Sequence, residues 1–238
     1  MEGTESIDVS VVLPTYNESK NIIPLIESIH RSLSGQRKEI IVVDDDSPDK
    51  TWEIAQQVVG KDVKVIRRTS DKGLVKSIQR GIDEARGKYV VWLDADLSMP
   101  PEIIPSLVAQ LEKYDVAVGS RYVKGGKDLR PALRLVTSRM INIAANLILN
   151  FKVLDYTSGF IAARKTVFSE MSLADSAYGE YCIEFLYSAG KKGYAIKEVP
   201  YSFIDRLEGT SKTAGTFFSL LRFGWVYFKR IVALRFRR

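Results

Sequence analysis

The 238-residue sequence has almost none of the side chains that form crosslinks or zinc sites. It contains one cysteine, Cys182, and one histidine, His30. A single cysteine cannot form an internal disulfide, and a single histidine excludes a histidine-rich zinc site. The composition therefore indicates a reducing environment that faces the cytosol.

The sequence does not predict a secretory signal or a membrane-spanning segment. The amino-terminal residues are acidic and polar, and they do not have the charged and then apolar order of a secretory signal. No uninterrupted apolar run reaches the roughly 20 residues of a spanning helix, so we expect a chain that does not cross a bilayer. The Gly-x-Gly-x-x-Gly pattern of dinucleotide-binding oxidoreductases does not follow the first strand.

The formal charge of +6 lies mostly in two segments, residues 121–139 and residues 217–238. Such a charge is compatible with a nucleic acid, an anionic membrane or a phosphorylated ligand. Acidic clusters elsewhere in the chain would repel a phosphodiester backbone, so we expect no nucleic-acid partner.

Residues 90–101 are the most informative stretch, because an apolar strand ends there in Asp94 and Asp96. Side chains two residues apart leave an extended chain on the same side. Two carboxylates held so close repel each other unless a cation lies between them, and hard oxygen ligands suit Mg²⁺ or Mn²⁺. The pair predicts a metal-diphosphate site, with a solvated acidic turn as the alternative.

Short apolar strands alternate with helices over the first half of the chain. Strands are predicted at residues 9–13, 39–43, 63–66, 89–93 and 116–118. This alternation predicts an α/β fold with a mainly parallel sheet and helices on both faces. Ligands bind such sheets at the carboxyl ends of the strands, and three polar clusters follow strand ends. These clusters are residues 14–18, 44–49 and 94–98.

Beyond Gly119 the pattern changes. We predict a long helix, a short extended segment, another helix and a late strand, at residues 133–149, 157–163, 180–189 and 194–199 respectively. We predict one domain at residues 1–216, with a donor half at about 1–119 and an acceptor half at about 120–216. A basic amphipathic helix is predicted to follow at residues 217–238.

Five motifs spread over nearly the whole chain match those of a known enzyme family. They read Val-Val-Leu-Pro-Thr-Tyr-Asn-Glu (11–18), Val-Val-Asp-Asp-Asp-Ser-Pro-Asp (42–49), Asp-Ala-Asp-Leu (94–97), Gly-Ser-Arg-Tyr-Val-Lys-Gly-Gly (119–126) and Arg-x-x-Gly-x-Ser-Lys (206–212). Together they resemble the dolichol-phosphate mannose synthases, which are polyprenyl-phosphate sugar synthases among the inverting glycosyltransferases of the GT-A fold. The first and third motifs are typical of glycosyltransferases in general. The other three restrict the resemblance to the polyprenyl-phosphate sugar synthases.

The resemblance implies a donor site. Asp94 and Asp96 would hold Mg²⁺ or Mn²⁺ against the diphosphate, with Ala95 lining the pocket. Ser98 stands where some relatives carry a glutamine that serves as a third metal ligand, so either Ser98 or a water would complete the site. The remaining donor-binding residues would be Pro14, Tyr16, Glu18, Val42 and Asp44 around guanine and ribose, and Arg206 and Lys212 on the phosphates.

The resemblance also implies that Arg121 faces the phosphate of a lipid acceptor and acts in catalysis with the two aspartates. Arg134 and Ser138 lie four residues apart in a predicted helix and therefore share a face. A guanidinium fork and a hydroxyl could grip one phosphate, so we predict a lipid-phosphate site of Arg121, Arg134 and Ser138. The alternative for the helical pair is a solvated basic helix end.

Aromatic and apolar side chains alternate with cations in residues 217–238. On a helical wheel most of the cations gather on one narrow side, which favours a helix lying in an anionic membrane surface. The alternative, a helix that packs its apolar arc on the enzyme's own core, is equally compatible with the pattern.

The predicted activity is transfer of mannose from GDP-mannose to dolichyl or another polyprenyl phosphate, with inversion and metal assistance. A phosphate acceptor is already anionic near neutral pH, so no strong general base is required. A hydroxyl acceptor would require one, and Glu180 and Glu184 are the late candidates. UDP-glucose or a related donor is the enzymatic alternative, and a membrane-surface or nucleic-acid binding module is the non-enzymatic one.

We expect the protein to be peripheral at the cytosolic face of a membrane. This membrane would be the endoplasmic reticulum in a eukaryote and the cell membrane in a prokaryote. Small membrane-anchoring subunits are potential partners, because some relatives recruit them.

Overall fold

The structure is a computed structural model that describes residues 6–58, 60, 62–151, 153–174, 176, 179–204 and 217–237. Its strands are β1 (Val9–Thr15), β2 (Lys38–Asp44), β3 (Val63–Arg67), β4 (Tyr89–Trp92), β5 (Val116–Ser120), β6 (Lys127–Asp128), β7 (Ile161–Arg164), β8 (Ile196–Pro200) and β9 (Ser202–Phe203). Its α-helices are α1 (Ile22–Ser32), α2 (Thr51–Gln56), α3 (Leu74–Glu84), α4 (Ile104–Gln110), α5 (Ala132–Leu149), α6 (Tyr181–Lys191) and α7 (Phe217–Phe236). Short 3₁₀ turns lie at Pro101–Ile103 and Lys165–Ser169.

Seven strands form one central sheet in the order β3-β2-β1-β4-β7-β5-β8. Alternate residues along a strand enter different apolar clusters: Val12 and Ile41 pack on one side, while Val11 and Ile40 pack on the other. This is the two-faced burial that a helix-covered sheet requires, and it explains why the strands are almost wholly apolar. The predicted α/β architecture with a mainly parallel sheet is confirmed.

Strand β7 is the exception to the parallel order, because it runs antiparallel to both β4 and β5. The sequence predicted an extended segment here but no direction for it. Since β7 is reversed, the residues that precede it reach the edge where β4 and β5 end. The Gly119 amide donates to the Phe160 carbonyl at 2.8 Å across this edge. Residues 155–160 are thereby brought next to Asp94 and Arg121.

A second, two-stranded sheet pairs β6 with β9. It joins the chain just before α5 to the chain just before residue 205. The Ile204 amide also donates to the Ser98 carbonyl at 3.2 Å. The predicted metal motif and the last described residue before residues 205–216 are therefore directly connected.

The inner side of helix α5 carries polar Ser138 and Asn142 and then apolar Ala145 and Leu149, whereas its outer side is apolar. By length and composition alone it could cross a bilayer, and only 17% of its residues are buried. This finding differs from the sequence expectation, which considered only uninterrupted apolar runs. The outer side exposes a stripe of large apolar side chains at alternating spacings of three and four residues: Leu133, Val136, Met140, Ile143 and Leu147.

Helix α7 packs on α5 and α6. Ile231 and Leu234 are 1% and 4% exposed and belong to the main core cluster, so the core-packing alternative describes this side of the helix. Arg230 pairs with Glu184 of α6 at 3.0 Å. Glu184 is only 5% exposed and also forms an ion pair with Arg237 of α7. These two ion pairs hold α7 against α6.

Candidate functional site

A cleft of about 740 Å³ opens at the edge where the parallel strands end. The first half of the chain lines it with Pro14, Thr15, Tyr16, Glu18, Asp45, Lys72, Gly73, Leu74, Ser77, Asp94, Ala95, Asp96 and Met99. The second half contributes Arg121, Arg130, Arg134, Thr157, Gly159, Gly179, Tyr181, Cys182, Phe203 and Tyr227. Carboxylates from one half and guanidinium groups from the other thus meet in one cavity.

Asp94 and Asp96 both line this cleft, as the strand spacing predicted. Asp96 is 3% exposed, and its Oδ1 atom accepts hydrogen bonds from the Ser98 amide at 3.1 Å and the Ser98 hydroxyl at 2.5 Å. Ser98 is itself fully buried. In the structure Ser98 therefore orients the Asp96 carboxylate, and its place as a third metal ligand stays a prediction.

The carboxylate oxygens of Asp94 and Asp96 are suitable ligands for a hard divalent cation. Among the described residues no group of three or more histidine, cysteine, aspartate or glutamate side chains is arranged to hold a metal. Two carboxylates at an open cleft leave coordination positions for water and for phosphate oxygens, which is how Mg²⁺ is commonly bound. Asp94 and Asp96 are the residues that would hold Mg²⁺ or Mn²⁺.

Arg121 is fixed by a buried carboxylate. Its Nε and Nη2 atoms donate to the two oxygens of Asp155 at 2.8 and 2.6 Å, and its amide donates to Asp155 at 2.9 Å. Nη2 also donates to the Thr157 hydroxyl at 2.8 Å. Burial alone would lower the pKa of Arg121, but the charge and hydrogen bonds of Asp155 raise it well above its ordinary value. Arg121 is therefore a permanently charged, preoriented group in the cleft.

A second pair lies beside the first. Arg130 donates to both oxygens of Asp128 at 2.8 and 2.5 Å. Burial by itself would raise the pKa of Asp128, but the hydrogen bonds and charge of Arg130, together with the charge of Arg121, lower it. The carboxylates of Asp128 and Asp155 hold the guanidinium groups of Arg130 and Arg121 in fixed orientations. An anionic ligand would therefore enter a cleft whose cations are already positioned.

Arg134 and Ser138 do not occupy equivalent positions. Arg134 lines the cleft, whereas Ser138 is 9% exposed and lies beneath it. The Ser138 hydroxyl is within hydrogen-bond distance of Tyr122 (3.0 Å) and Thr157 (3.2 Å). The structure brings Arg121 and Arg134 to one cavity and connects Ser138 to Arg121 through Thr157.

The predicted nucleotide pocket is only partly assembled from the residues that the sequence indicated. Pro14, Tyr16 and Glu18 line the cleft with Ala95, while Val42 and Asp44 are fully buried and are not part of its wall.

Asp44 instead ties two loops together beneath the cleft. Its oxygens accept hydrogen bonds from the Thr15 hydroxyl at 2.8 Å and from the Ser47 amide and hydroxyl at 2.8 and 2.6 Å.

The neighbouring Asp45 takes the position at the wall. It accepts hydrogen bonds from Arg68 at 2.9 Å, the Gly73 amide at 2.6 Å and the Ser77 hydroxyl at 2.7 Å. These bonds hold residues 72–74 at the cleft, where Lys72, Gly73 and Leu74 form part of its lining. Arg206 and Lys212, the predicted phosphate clamp, lie outside the described residues.

Sequence reasoning did not single out Asp155, Thr157, Arg130 or Tyr227. Asp155 and Thr157 stand in a polar stretch just before β7, and that position becomes informative only once β7 is known to be reversed. Tyr227 lies in the apolar arc of α7, where the sequence does not distinguish it from the other aromatic residues of the helix. Its place in the cleft follows from how α7 docks.

A profile of the family described as "Glycosyl transferase family 2" matches residues 10–172. The chain is 45% identical over 222 residues to a dolichol-phosphate mannosyltransferase of Pyrococcus furiosus, covering 90% of this chain and 62% of that protein. It is 35% identical over 216 residues to a polyprenol monophosphomannose synthase of Mycolicibacterium smegmatis, covering 87% and 81%. It is 33% identical over 223 residues to a dolichol-phosphate mannosyltransferase of Saccharomyces cerevisiae, covering 88% and 82%.

The fold is also found among solved structures. A glucosyl-3-phosphoglycerate synthase from Mycobacterium tuberculosis, crystallised with Mn²⁺, UDP and phosphoglyceric acid, superposes with a TM-score of 0.74 at 20% identity. The match covers 98% of this chain and 80% of that chain. At this identity the likeness concerns the fold, and with the family profile it confirms the predicted GT-A architecture. The sequence profile, the three relatives and the shared architecture lead to one conclusion: this chain belongs to glycosyl transferase family 2.

Proposed function

We propose that this protein transfers mannose from GDP-mannose to the phosphate of dolichol or another polyprenol. The single observation that carries the proposal is the meeting of two acidic residues and two basic residues in one cleft. Asp94 and Asp96 come from the end of β4, whereas Arg121 and Arg134 come from the chain after β5. One set suits a metal-bound diphosphate, and the other suits a second phosphate.

The names of the relatives support the choice of substrates. Two of them are mannosyltransferases of dolichol phosphate and one is a synthase of polyprenol monophosphomannose. The cleft is compatible with a sugar carried between two phosphorylated partners. A bound divalent ion would stabilise the negative charge that develops on the departing nucleoside diphosphate.

The described residues have defined tasks in this reaction. Asp96, oriented by Ser98, would hold a divalent ion together with Asp94, and that ion would supply positive charge at the diphosphate of the donor. Arg121, held by Asp155, positions the acceptor phosphate and offsets the repulsion between the two anionic substrates. The nucleophile is a phosphate oxygen that is already anionic, so the reaction needs no buried general base.

Donor screening tests the proposal directly. Purified protein with Mn²⁺ and dolichyl phosphate is incubated with radiolabelled GDP-mannose or UDP-glucose, and the lipid extract is counted. We expect label in the lipid only with GDP-mannose. Transfer from UDP-glucose alone would identify UDP-glucose as the donor instead of GDP-mannose. If neither donor supported transfer and the protein did not bind GDP in a metal-dependent way, the enzymatic proposal would be refuted.

Membrane contact through α5 and α7 is part of the proposal. These helices pack on each other, and large apolar side chains cover the outer side of α5, with Met140 and Leu147 at 65% and 77% exposure. Trp225 and Phe228 of α7 are exposed as well. Aromatic side chains and nearby cations are typical of a helix lying in an anionic membrane surface. We infer a peripheral protein at the cytosolic face, with anchoring subunits as optional partners.

Introducing charge into the outer side of α5 should release the protein from membranes. Vesicles that contain phosphatidylserine are sedimented with the wild type and with Met140→Asp/Leu147→Asp, and we expect the variant to remain in the supernatant while it still binds GDP. Arg31→Asp on α1 is the control, since the Arg31 side chain is 70% exposed. Equal sedimentation of all three proteins would contradict the assignment of this surface.

A further inference from the structure

Helix α7 contributes a side chain to the cleft. Tyr227 lines the cavity together with Arg121 and Cys182. It is four residues before Ile231 and seven before Leu234, so the three side chains share one side of the helix. Because Ile231 and Leu234 are fixed in the core, they also fix the direction in which Tyr227 points.

Ion pairs hold the helix in this orientation. Glu184 of α6 pairs with Arg230, one turn from Tyr227, and with Arg237 near the end of α7. Away from this core-facing side, α7 exposes Trp225 and Phe228 at 58% and 43%. One helix therefore presents aromatic side chains outward and a phenol inward.

The hydroxyl of Tyr227 fits closely against Gly179, just before α6. A β-carbon added at Gly179 would lie 2.6 Å from the Tyr227 hydroxyl, which is closer than real contacts allow. The Gly179 amide donates a hydrogen bond to this hydroxyl. That bond uses a lone pair of the oxygen, and a phenol that accepts one hydrogen bond can still donate its own proton to another acceptor.

The electrostatic surroundings keep this proton in place. Burial raises the pKa of Tyr227, Cys182 and Glu180 raise it further, and Arg121 acts in the opposite direction without reversing the effect. The phenol is therefore neutral throughout the physiological range. It is a hydrogen-bond donor in the same cavity as the permanently charged Arg121.

Packing alone does not explain these features. A phenylalanine at position 227 would fill the same space between the core and the cleft without requiring a glycine at 179. The combination of a hydroxyl, a glycine that makes room for it and a cleft-facing position indicates a polar ligand. Phosphate oxygens are strong acceptors, and the guanidinium groups of this cleft come from the same half of the chain as Tyr227.

We propose that Tyr227 donates a hydrogen bond to the phosphate of the acceptor, so that the C-terminal helix forms a wall of the active site as well as a membrane contact. The inference rests on the proposed function, because it names a further substrate-contacting residue of that site. It places acceptor recognition and membrane contact on two sides of one helix.

Tyr227→Phe tests the contact with a water-soluble acceptor, which removes any effect of membrane binding. The probe is geranyl phosphate, whose equilibrium binding is measured by calorimetry in the presence of GDP and Mn²⁺ and whose KM is measured in the transfer assay. A hydrogen bond to a charged group accounts for about a tenfold change in affinity or more. We expect geranyl phosphate binding to weaken and its KM to rise by about that factor, while the KM for GDP-mannose stays unchanged.

Tyr114→Phe is the matched control, since it removes a phenolic hydroxyl from a half-buried tyrosine after α4 that does not line the cleft. It should leave both KM values unchanged. Equal affinity of Tyr227→Phe and wild type for geranyl phosphate would overturn the inference. An increase in KM for the donor alone would also overturn it, because the contact would then be to the nucleotide sugar.

A double-mutant cycle with Gly179→Ala adds a readout that simple loss of folding does not mimic. The new methyl group displaces the Tyr227 hydroxyl, so Gly179→Ala alone should weaken geranyl phosphate binding. In the Tyr227→Phe background the nearest remaining ring atom is 3.8 Å away, and the same substitution should have little further effect. Additive losses would contradict the proposed contact.

The wild type separates failure of this inference from failure of the proposed function. Wild-type protein that transfers no mannose to geranyl phosphate or to dolichyl phosphate, and that does not bind GDP in a metal-dependent way, would refute the proposed function and the inference with it. Wild-type protein that binds geranyl phosphate and transfers mannose to it, with Tyr227→Phe unchanged, would refute only the role of Tyr227.

Discussion

Asp96→Ala should lower kcat/KM for mannose transfer by about a thousandfold. The carboxylate is one of two that would hold a divalent ion on the diphosphate, and metal stabilisation of the departing charge is worth several kcal/mol, with about 1.4 kcal/mol for each tenfold change. Steady-state kinetics in saturating Mn²⁺ measure the loss. Calorimetry should show in parallel that Mn²⁺ no longer strengthens the binding of GDP.

Asp83→Ala is the matched control for this substitution. Asp83 is an exposed carboxylate on α3 that accepts a hydrogen bond from Gln79, and its removal should leave kcat/KM unchanged. Thermal unfolding of Asp96→Ala is required as well, because Asp96 also accepts two hydrogen bonds from Ser98. A folded Asp96→Ala enzyme with wild-type kcat/KM would contradict the metal-diphosphate assignment.

Asp155→Ala should destabilise the fold by about 3–5 kcal/mol, because it leaves the buried Arg121 guanidinium without the carboxylate to which it donates hydrogen bonds. The Arg121 and Asp155 side chains are 3% and 0% exposed. Urea unfolding at neutral pH measures the change in the free energy of unfolding. Activity should fall too, since Arg121 would lose the two hydrogen bonds that direct its guanidinium plane.

Asp8 offers a control with the same geometry at the surface. It accepts two hydrogen bonds from Arg37, from Nε at 3.0 Å and from Nη2 at 2.9 Å, but the Arg37 and Asp8 side chains are 52% and 41% exposed. Asp8→Ala should therefore change the free energy of unfolding by about 1 kcal/mol or less. Equal costs for the two aspartate substitutions would show that burial does not determine the strength of the Arg121 pair.

The part of the cleft that the first half of the chain lines, which we propose binds the donor, was predictable because its physical signals are local. Buried parallel strands require apolar runs, and the first polar residues after such runs must lie at the carboxyl edge of the sheet. Asp94, Asp96, Pro14, Tyr16 and Glu18 all reach the cleft for this reason. The resemblance added assignments that local patterns do not provide, and the family is confirmed.

Neighbouring residues at a strand end are harder to distinguish. Asp44 and Asp45 are equally acidic in the sequence, yet Asp44 is fully buried beneath the cleft while Asp45 lines it. The difference arises from partners distant in sequence, such as Thr15 for Asp44 and Arg68 for Asp45. No periodicity in the sequence carries that information.

The acceptor side depended on tertiary packing even more. The four residues of β7 read Ile-Ala-Ala-Arg, which fits a strand of either direction, and only the reversed direction brings Asp155 next to Arg121. The amphipathic pattern of α7 was compatible with both membrane contact and core packing. The structure assigns Ile231 and Leu234 to the core and leaves Trp225 exposed, so one helix serves two environments.

The position of β5 in the sheet has a consequence for synthesis on the ribosome. Its two neighbours, β7 and β8, are both translated after it, whereas β1 to β4 form adjoining pairs from the first part of the chain. A nascent chain that has emerged only as far as residue 120 can assemble its first four strands but has no docking position for the fifth. The apolar β5 segment must therefore wait for more than forty further residues, up to β7 at Ile161–Arg164, and its unpaired strand edges are open to non-native contacts during that interval.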